Sequence, residues 1–194
     1  GEILLDELKT DIPDYRIQET KKYVSILGDE VVEEFPWDAK MEPSTEDKVE
    51  GVLRRTWRPA LSVVGADGLP PSDNAGNVLR PYTQLQLSIR IPAMVDPIKA
   101  QNALQKVLVD KPPYGAKVTV DFEKAASGWN APETEEWLLS AMNQASETFY
   151  GESACSLGEG GTIPFMAMLG ERFPKAQFVI TGVLGPGSNA HGPN

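Results

Sequence analysis

Cysteine and histidine are almost missing from this chain: its 194 residues hold one of each, Cys155 and His191. A single cysteine excludes an internal disulfide framework and fits a reducing, cytoplasmic setting. A single histidine cannot make a metal centre alone, because such a centre needs several ligands. No apolar run approaches the length that spans a bilayer, and the start does not read as a signal peptide. Positive charge is also short, with 18 Lys and Arg against 28 Asp and Glu. The resulting net charge of -10 argues against nucleic acid and anionic membrane as partners. The acids crowd into residues 1–50, which hold 15 of them beside 6 bases, and they read as a solvated helical face. No repeat of solenoid length and no low-complexity block is present.

What remains is the composition of an ordinary globular protein, 41% apolar and 24% charged. Residues 1–12 read as a short extended or linker segment leading into the fold. Pro13-Asp14 opens a helix through Leu27, with Ile17, Val24 and Leu27 at helical spacing, and Gly28 interrupts it. Val31, Val32 and Phe35 suggest a short further turn, and Asp38–Asp47 reads as loop. Ala60–Val64 is a short apolar strand stopped by Gly65, and residues 65–81, with three Gly and three Pro, form a long loop. Gln84–Ile91 alternates cleanly, which predicts a half-buried strand with Leu85, Leu87, Ile89 and Ile91 inward and Gln84, Gln86, Ser88 and Arg90 on a wet face. Asp96-Pro97 is a strong helix start, with Ala100, Ala103, Leu104, Val107 and Leu108 as the apolar stripe. Val118, Val120 and Phe122 give another alternating strand.

Strand, strand, helix, strand predicts an α+β fold: a two-layer antiparallel sheet with helices on one face, close to ferredoxin-like. Composition shifts near Ala125–Asn130, so residues 1–125 and 126–194 are expected to be separate units. In the second, Asn130-Ala131-Pro132 is expected to cap a helix to Tyr150, a short helix to cover Ile163–Leu169, and Gln177–Val183 to be a strand. One strand cannot make its own sheet, so this part reads as a fragment of an α/β layer.

Four places could carry chemistry. His191 sits after the last strand, where α/β layers tend to place ligands, and its imidazole suits zinc or a similar metal. Taken alone, it reads more simply as a surface histidine in a tail. The Glu159-Gly160-Gly161-Thr162 turn lets a backbone approach closely and points helix N–H groups at an anion. A tight turn before a helix is the ordinary alternative, and without a phosphate-loop lysine a nucleotide site is rejected. Arg90, on the wet strand face, can grip a carboxylate with two parallel bonds, or be a solvated surface arginine. Asn77 can hydrogen-bond a substrate carbonyl from the long loop, or simply shape a turn. Glu33-Glu34 and Glu135-Glu136 read as solvated face, the four tryptophans as core or boundary aromatics, and Cys155 has no base partner to make it a nucleophile.

Four stretches, in this order and spacing, resemble the zinc-dependent exopeptidase family that includes carnosinases, aminoacylases, glutamate carboxypeptidases and acetylornithine deacetylase-like enzymes. They are Thr56-Trp57-Arg58-Pro59-Ala60-Leu61-Ser62-Val63-Val64-Gly65; Asn77–Pro81 with Leu87-Ser88-Ile89-Arg90-Ile91-Pro92-Ala93-Met94-Val95-Asp96-Pro97; Glu159-Gly160-Gly161-Thr162-Ile163-Pro164; and Asn189-Ala190-His191-Gly192-Pro193-Asn194. Gly1–Tyr15 is also similar to the carnosinase-type segment before the lid helix.

The resemblance implies a lid that makes a homodimer, here residues 1–125, and part of a catalytic domain, here residues 126–194. It implies a small peptide or N-acyl amino acid as substrate, and two divalent ions, zinc with manganese or cobalt as alternatives. On that pattern His191 is a metal ligand. Arg90 with Gly160, Gly161 and Thr162 seats the substrate carboxylate, Asn77 reaches the scissile carbonyl, and Glu159 is an active-site acid. Thr162 stands where serine is common and keeps the hydroxyl. The family's other metal ligands, its general base and its lid histidine are not in the chain. The sequence therefore reads as an inactive, metal-free piece of a longer hydrolase. The competing reading is a non-catalytic, dimerising interaction module.

Overall fold

In the computed structural model, residues 2–123, 125–158 and 164–182 are described. Helix α1 (Asp14–Leu27) begins after Pro13, and α2 (Glu30–Glu33) is a single turn. Helix α3 (Lys48–Thr56) has no counterpart in the sequence reading. Its start was legible: Asp47 accepts from the N–H groups of Val49 (2.9 Å) and Glu50 (3.2 Å), and the apolar residues recur as Val49, Val52, Leu53. Strands β1 (Ala60–Asp67) and β2 (Gln84–Arg90) are followed by α4 (Pro97–Val109), α5 (Glu136–Tyr150) and α6 (Pro164–Arg172). Asp96 caps α4 as its sequence promised, accepting from Ile98 and Lys99.

The chain divides into two compact units, Gly1–Asn130 with Cys155–Met168, and Ala131–Ala154 with Leu169–Asn194. In the first, one core cluster joins Leu8, Val95 and Ala100, with Ile3, Leu5, Ile89, Ile91 and Leu104 packed against it. The lead-in is thus not a linker. A 3-10 turn at Asp6–Leu8 drives Leu8 to complete burial, because Ile3, Leu5 and Leu8 need a partner and the α4 stripe supplies it. Val31, Val52, Leu53 and Trp57 are buried where α1, α2 and α3 meet. The crowded acids of residues 1–50 are partly spent on pairing these helices: Asp29 takes Lys48, and Glu34 takes Arg55.

β1 and β2 form an antiparallel two-stranded ribbon, pairing Ala60 with Arg90 at one end and Asp67 with Gln84 at the other. Val64 is an extra residue in β1. The bulge keeps Leu61, Val63 and Ala66 on the face of Ile89, Leu87 and Leu85. That apolar face is largely uncovered, with Leu61 49%, Val63 55% and Leu85 51% exposed, so only its Ile89 end reaches the core. The expected half-buried strand is therefore open on both faces.

The expected third strand does not form among the described residues. Val118 and Val120 are half-buried and alternate, but residues 116–123 join no ladder among the described residues. Alternation records one-sided burial; a strand also needs a neighbour to take its N–H and C=O groups. The described residues thus show a mixed fold, helices with one two-stranded antiparallel ribbon, and not the further strands that a ferredoxin-like sheet needs. Residues 177–182 likewise form no strand among the described residues. In the second unit α5 starts at Glu136, not near Asn130, because the Asn130 side chain is engaged elsewhere and the Glu135 N–H donates to Gln177 Oε1 at 2.9 Å. Trp137, expected as a core or boundary aromatic, is exposed on α5, and so is Phe149. No described helix is long and apolar enough to cross a membrane.

Candidate functional site

Arg90 is the last residue of β2, exposed, on the polar face of the ribbon with Ser88, Gln86 and Gln84. Its position is set from both sides of the ladder. Its own neighbours, Ile89 and Ile91, are held by the core. Its ladder partner, Ala60, follows Trp57-Arg58-Pro59, and that segment is fixed to α3 by ions. Glu50 accepts from Arg58 through both oxygens, from Nε at 2.8 Å and Nη2 at 3.0 Å, and from Arg54 Nε at 3.3 Å. Arg54 also donates to Ser44 Oγ at 3.1 Å and lies 3.5 Å from Glu2. The hydrogen bond from Arg58 is the main cause that holds the Glu50 carboxyl below the ordinary glutamate range. The same pairing raises the Arg58 pKa.

A carboxyl depressed in the folded state stabilises above its unfolded pKa and loses that contribution as pH falls through the folded value. Glu50→Gln should therefore lower the melting temperature at neutral pH. The gap from wild type should close as the pH drops through and below the usual glutamate range. A gap that stays constant into acid would show that the network contributes nothing through charge.

Asn77 is exposed in the loop between β1 and β2. That loop leaves the ribbon at the Asp67–Gln84 end, whereas Arg90 closes the other end. The ladder between is about 20 Å long at the usual rise per residue. The structure shows no bond joining the two residues among the described ones. The neck of the loop is tight: Gly68 adopts φ +78, and a Cβ there would lie 2.4 Å from the Tyr82 carbonyl oxygen.

The candidate glycine turn, Glu159, Gly160, Gly161 and Thr162, and the candidate ligand His191 lie outside the described residues. The residue before the turn is described. Gly158 lies against the end of α3, where a Cβ would meet Thr56 and the Trp57 indole nitrogen at 3.6 Å. Among the described residues no group of three His, Cys, Asp or Glu side chains could hold a metal ion. The described residues do not by themselves make a metal centre. Cys155 is exposed, and burial raises the pKa of its neighbour Tyr23 above the usual phenol value.

Sequence reasoning missed the Glu50 network, although the Asp47-x-x-Glu50 spacing marked a helix start with a carboxylate in its first turn. It also missed the strap of residues 128–130 over the turn that follows Arg90, for which no local pattern exists.

No family model matches the chain. A cysteinylglycine-S-conjugate dipeptidase of Corynebacterium striatum is 30% identical over 140 residues, which are 70% of this chain and 30% of that protein. The crystal structure of human carnosine dipeptidase 1 superposes with a TM-score of 0.55 and 21% identity, covering 86% of this chain and 35% of that one. At that identity the likeness speaks to the fold. The chain thus spans about a third of the length of each relative.

Proposed function

Because this chain belongs to the metallodipeptidase family, we propose that it is part of a longer metal-dependent exopeptidase that hydrolyses the amide bond beside a free-carboxylate residue. The substrates are dipeptides or N-acyl amino acids. In this reading residues 1–125 are the lid, residues 126–194 are the end of the catalytic domain, and Arg90 holds the substrate carboxylate. Gly160, Gly161 and Thr162 complete that seat, with Glu159 as a neighbouring acid and Asn77 reaching the scissile carbonyl. His191 is this chain's ligand to zinc, or to manganese or cobalt; the remaining ligands and the base belong to the rest of the enzyme.

The observation that carries the reading is Arg90 itself: a guanidinium at the end of a polar ribbon face, with its backbone fixed by core residues on one side and by the Glu50 network on the other. A fork of that kind, held in place, suits a carboxylate. The chain by itself should be inactive. A longer protein containing it should cleave dipeptides, lose activity to a chelator and regain it with divalent metal. Hydrolysis untouched by chelation contradicts the metal dependence.

One observation favours a second reading, a non-catalytic module that pairs with itself: the uncovered apolar face of Leu61, Val63, Leu85 and Leu87. A dimeric lid accounts for that face equally well. The longer protein decides between them, since inertness toward every dipeptide with zinc or manganese added leaves only the module.

A further inference from the structure

We propose that the strap Gly128–Asn130 is a positioning element for Arg90, and through it for the substrate carboxylate; this rests on the dipeptidase reading of the same site. Immediately after Arg90 the chain turns through Pro92–Val95, closed by the Val95 N–H on the Pro92 carbonyl at 3.1 Å. The inner side of this turn is anchored, because Pro92 and Val95 are buried. The outer side is covered by the strap. At Gly128 a Cβ would lie 2.5 Å from Ala93 Cα and 3.2 Å from the Ala93 oxygen, so the backbones touch with no room for a side chain. Two residues on, the Asn130 amide lies against Met94 Sδ at 3.9 Å.

The strap is tied down from a distant element. Asn130 Oδ1 accepts from Arg16 Nε at 3.3 Å, and the amide lies 3.2–3.3 Å from the Tyr15 hydroxyl. Arg16 is itself fixed, 2.7 Å from Glu19 and 4.8 Å over the Tyr15 ring. A contiguous path therefore runs from the first turn of α1 through Asn130 and Gly128 to Ala93, three residues beyond Arg90. The core beneath the turn is made by Leu8, Ile89, Ile91, Val95 and Ala100 without the strap. Loosening the strap should free the turn while leaving that core in place. Small misplacements of a group that grips substrate weaken binding strongly.

The test uses Tyr15→Phe and Asn130→Ala in the intact enzyme, assayed on a dipeptide and on its C-terminal amide. Each variant should raise KM for the free acid about three- to tenfold, the scale of one lost hydrogen bond. The kcat should hold, the amide should respond little, and neither change should add to Arg90→Ala. Gly128→Ala should act in the same direction and more strongly if it folds, and Tyr15→Phe, the mildest change, decides if it does not. An unchanged KM in Tyr15→Phe and Asn130→Ala overturns the proposal. So does an equal rise on the amide, or full additivity with Arg90→Ala. A wild-type enzyme that cleaves no dipeptide overturns the dipeptidase reading and the strap's role with it.

Discussion

Replacing Arg90 by alanine in the intact enzyme should lower kcat/KM on a free-carboxylate dipeptide about 30- to 100-fold, roughly 2–3 kcal/mol. The size follows from what is removed. A guanidinium fork makes two parallel charge-assisted bonds to a carboxylate, each stronger than a neutral bond. Arg90 is exposed in this chain, so water screens part of that gain, and the lower end of the range applies unless the remaining enzyme closes over it. The loss should fall mainly on KM, because the carboxylate is charged in both ground and transition states. Arg90→Lys should recover only part of it, since an ammonium lacks the planar fork. The C-terminal amide of the same dipeptide should be nearly indifferent to either change. An equal loss on acid and amide would show that Arg90 supports the ribbon and does not grip the substrate.

Gly68→Ala should be the most damaging single methyl in the chain's ribbon, destabilising by about 2–4 kcal/mol. Two penalties act together. The φ of +78 is one that an L side chain rarely adopts. The new Cβ would also sit 2.4 Å from the Tyr82 carbonyl oxygen and 3.1 Å from its carbon, both backbone atoms that cannot rotate away. Relief requires opening the neck between the two strands, which breaks the adjoining Asp67–Gln84 pair. Gly76, further along the loop, is the control. Nothing lies within 4 Å of a Cβ there, so Gly76→Ala should stay within about 0.5 kcal/mol of wild type. Urea unfolding of the three proteins checks this. A wild-type midpoint for Gly68→Ala would mean that the neck is not closed as described.

The legible parts of the fold were those governed by local chemistry. Asp96-Pro97 started α4, the Gln84–Ile91 alternation marked β2, and Pro13 and Gly28 bracketed α1. The misreadings came where tertiary partners decide. Val118–Phe122 alternates like a strand, yet no neighbour among the described residues takes its backbone groups. Asn130 looks like a helix cap, but Tyr15 and Arg16, over a hundred positions away, take its side chain. Residues 1–12 look like a tether, but Leu8 becomes the most buried residue of the core cluster because α4 presents a stripe to it. The exposed position of Arg90 was legible because a charge on the polar side of an alternating strand must face water. The pressure of Gly128 on Ala93 was not, because close approach of two backbones leaves no periodic trace in either segment.

The central claim is that this chain contributes a carboxylate grip to a metal-dependent dipeptidase. It is tested most directly by comparing one dipeptide with its C-terminal amide as substrates of the longer wild-type protein, each with and without chelator. The account expects rapid, chelator-sensitive cleavage of the free acid and far slower cleavage of the amide. Equal cleavage of acid and amide, or cleavage of neither with divalent metal supplied, would contradict it.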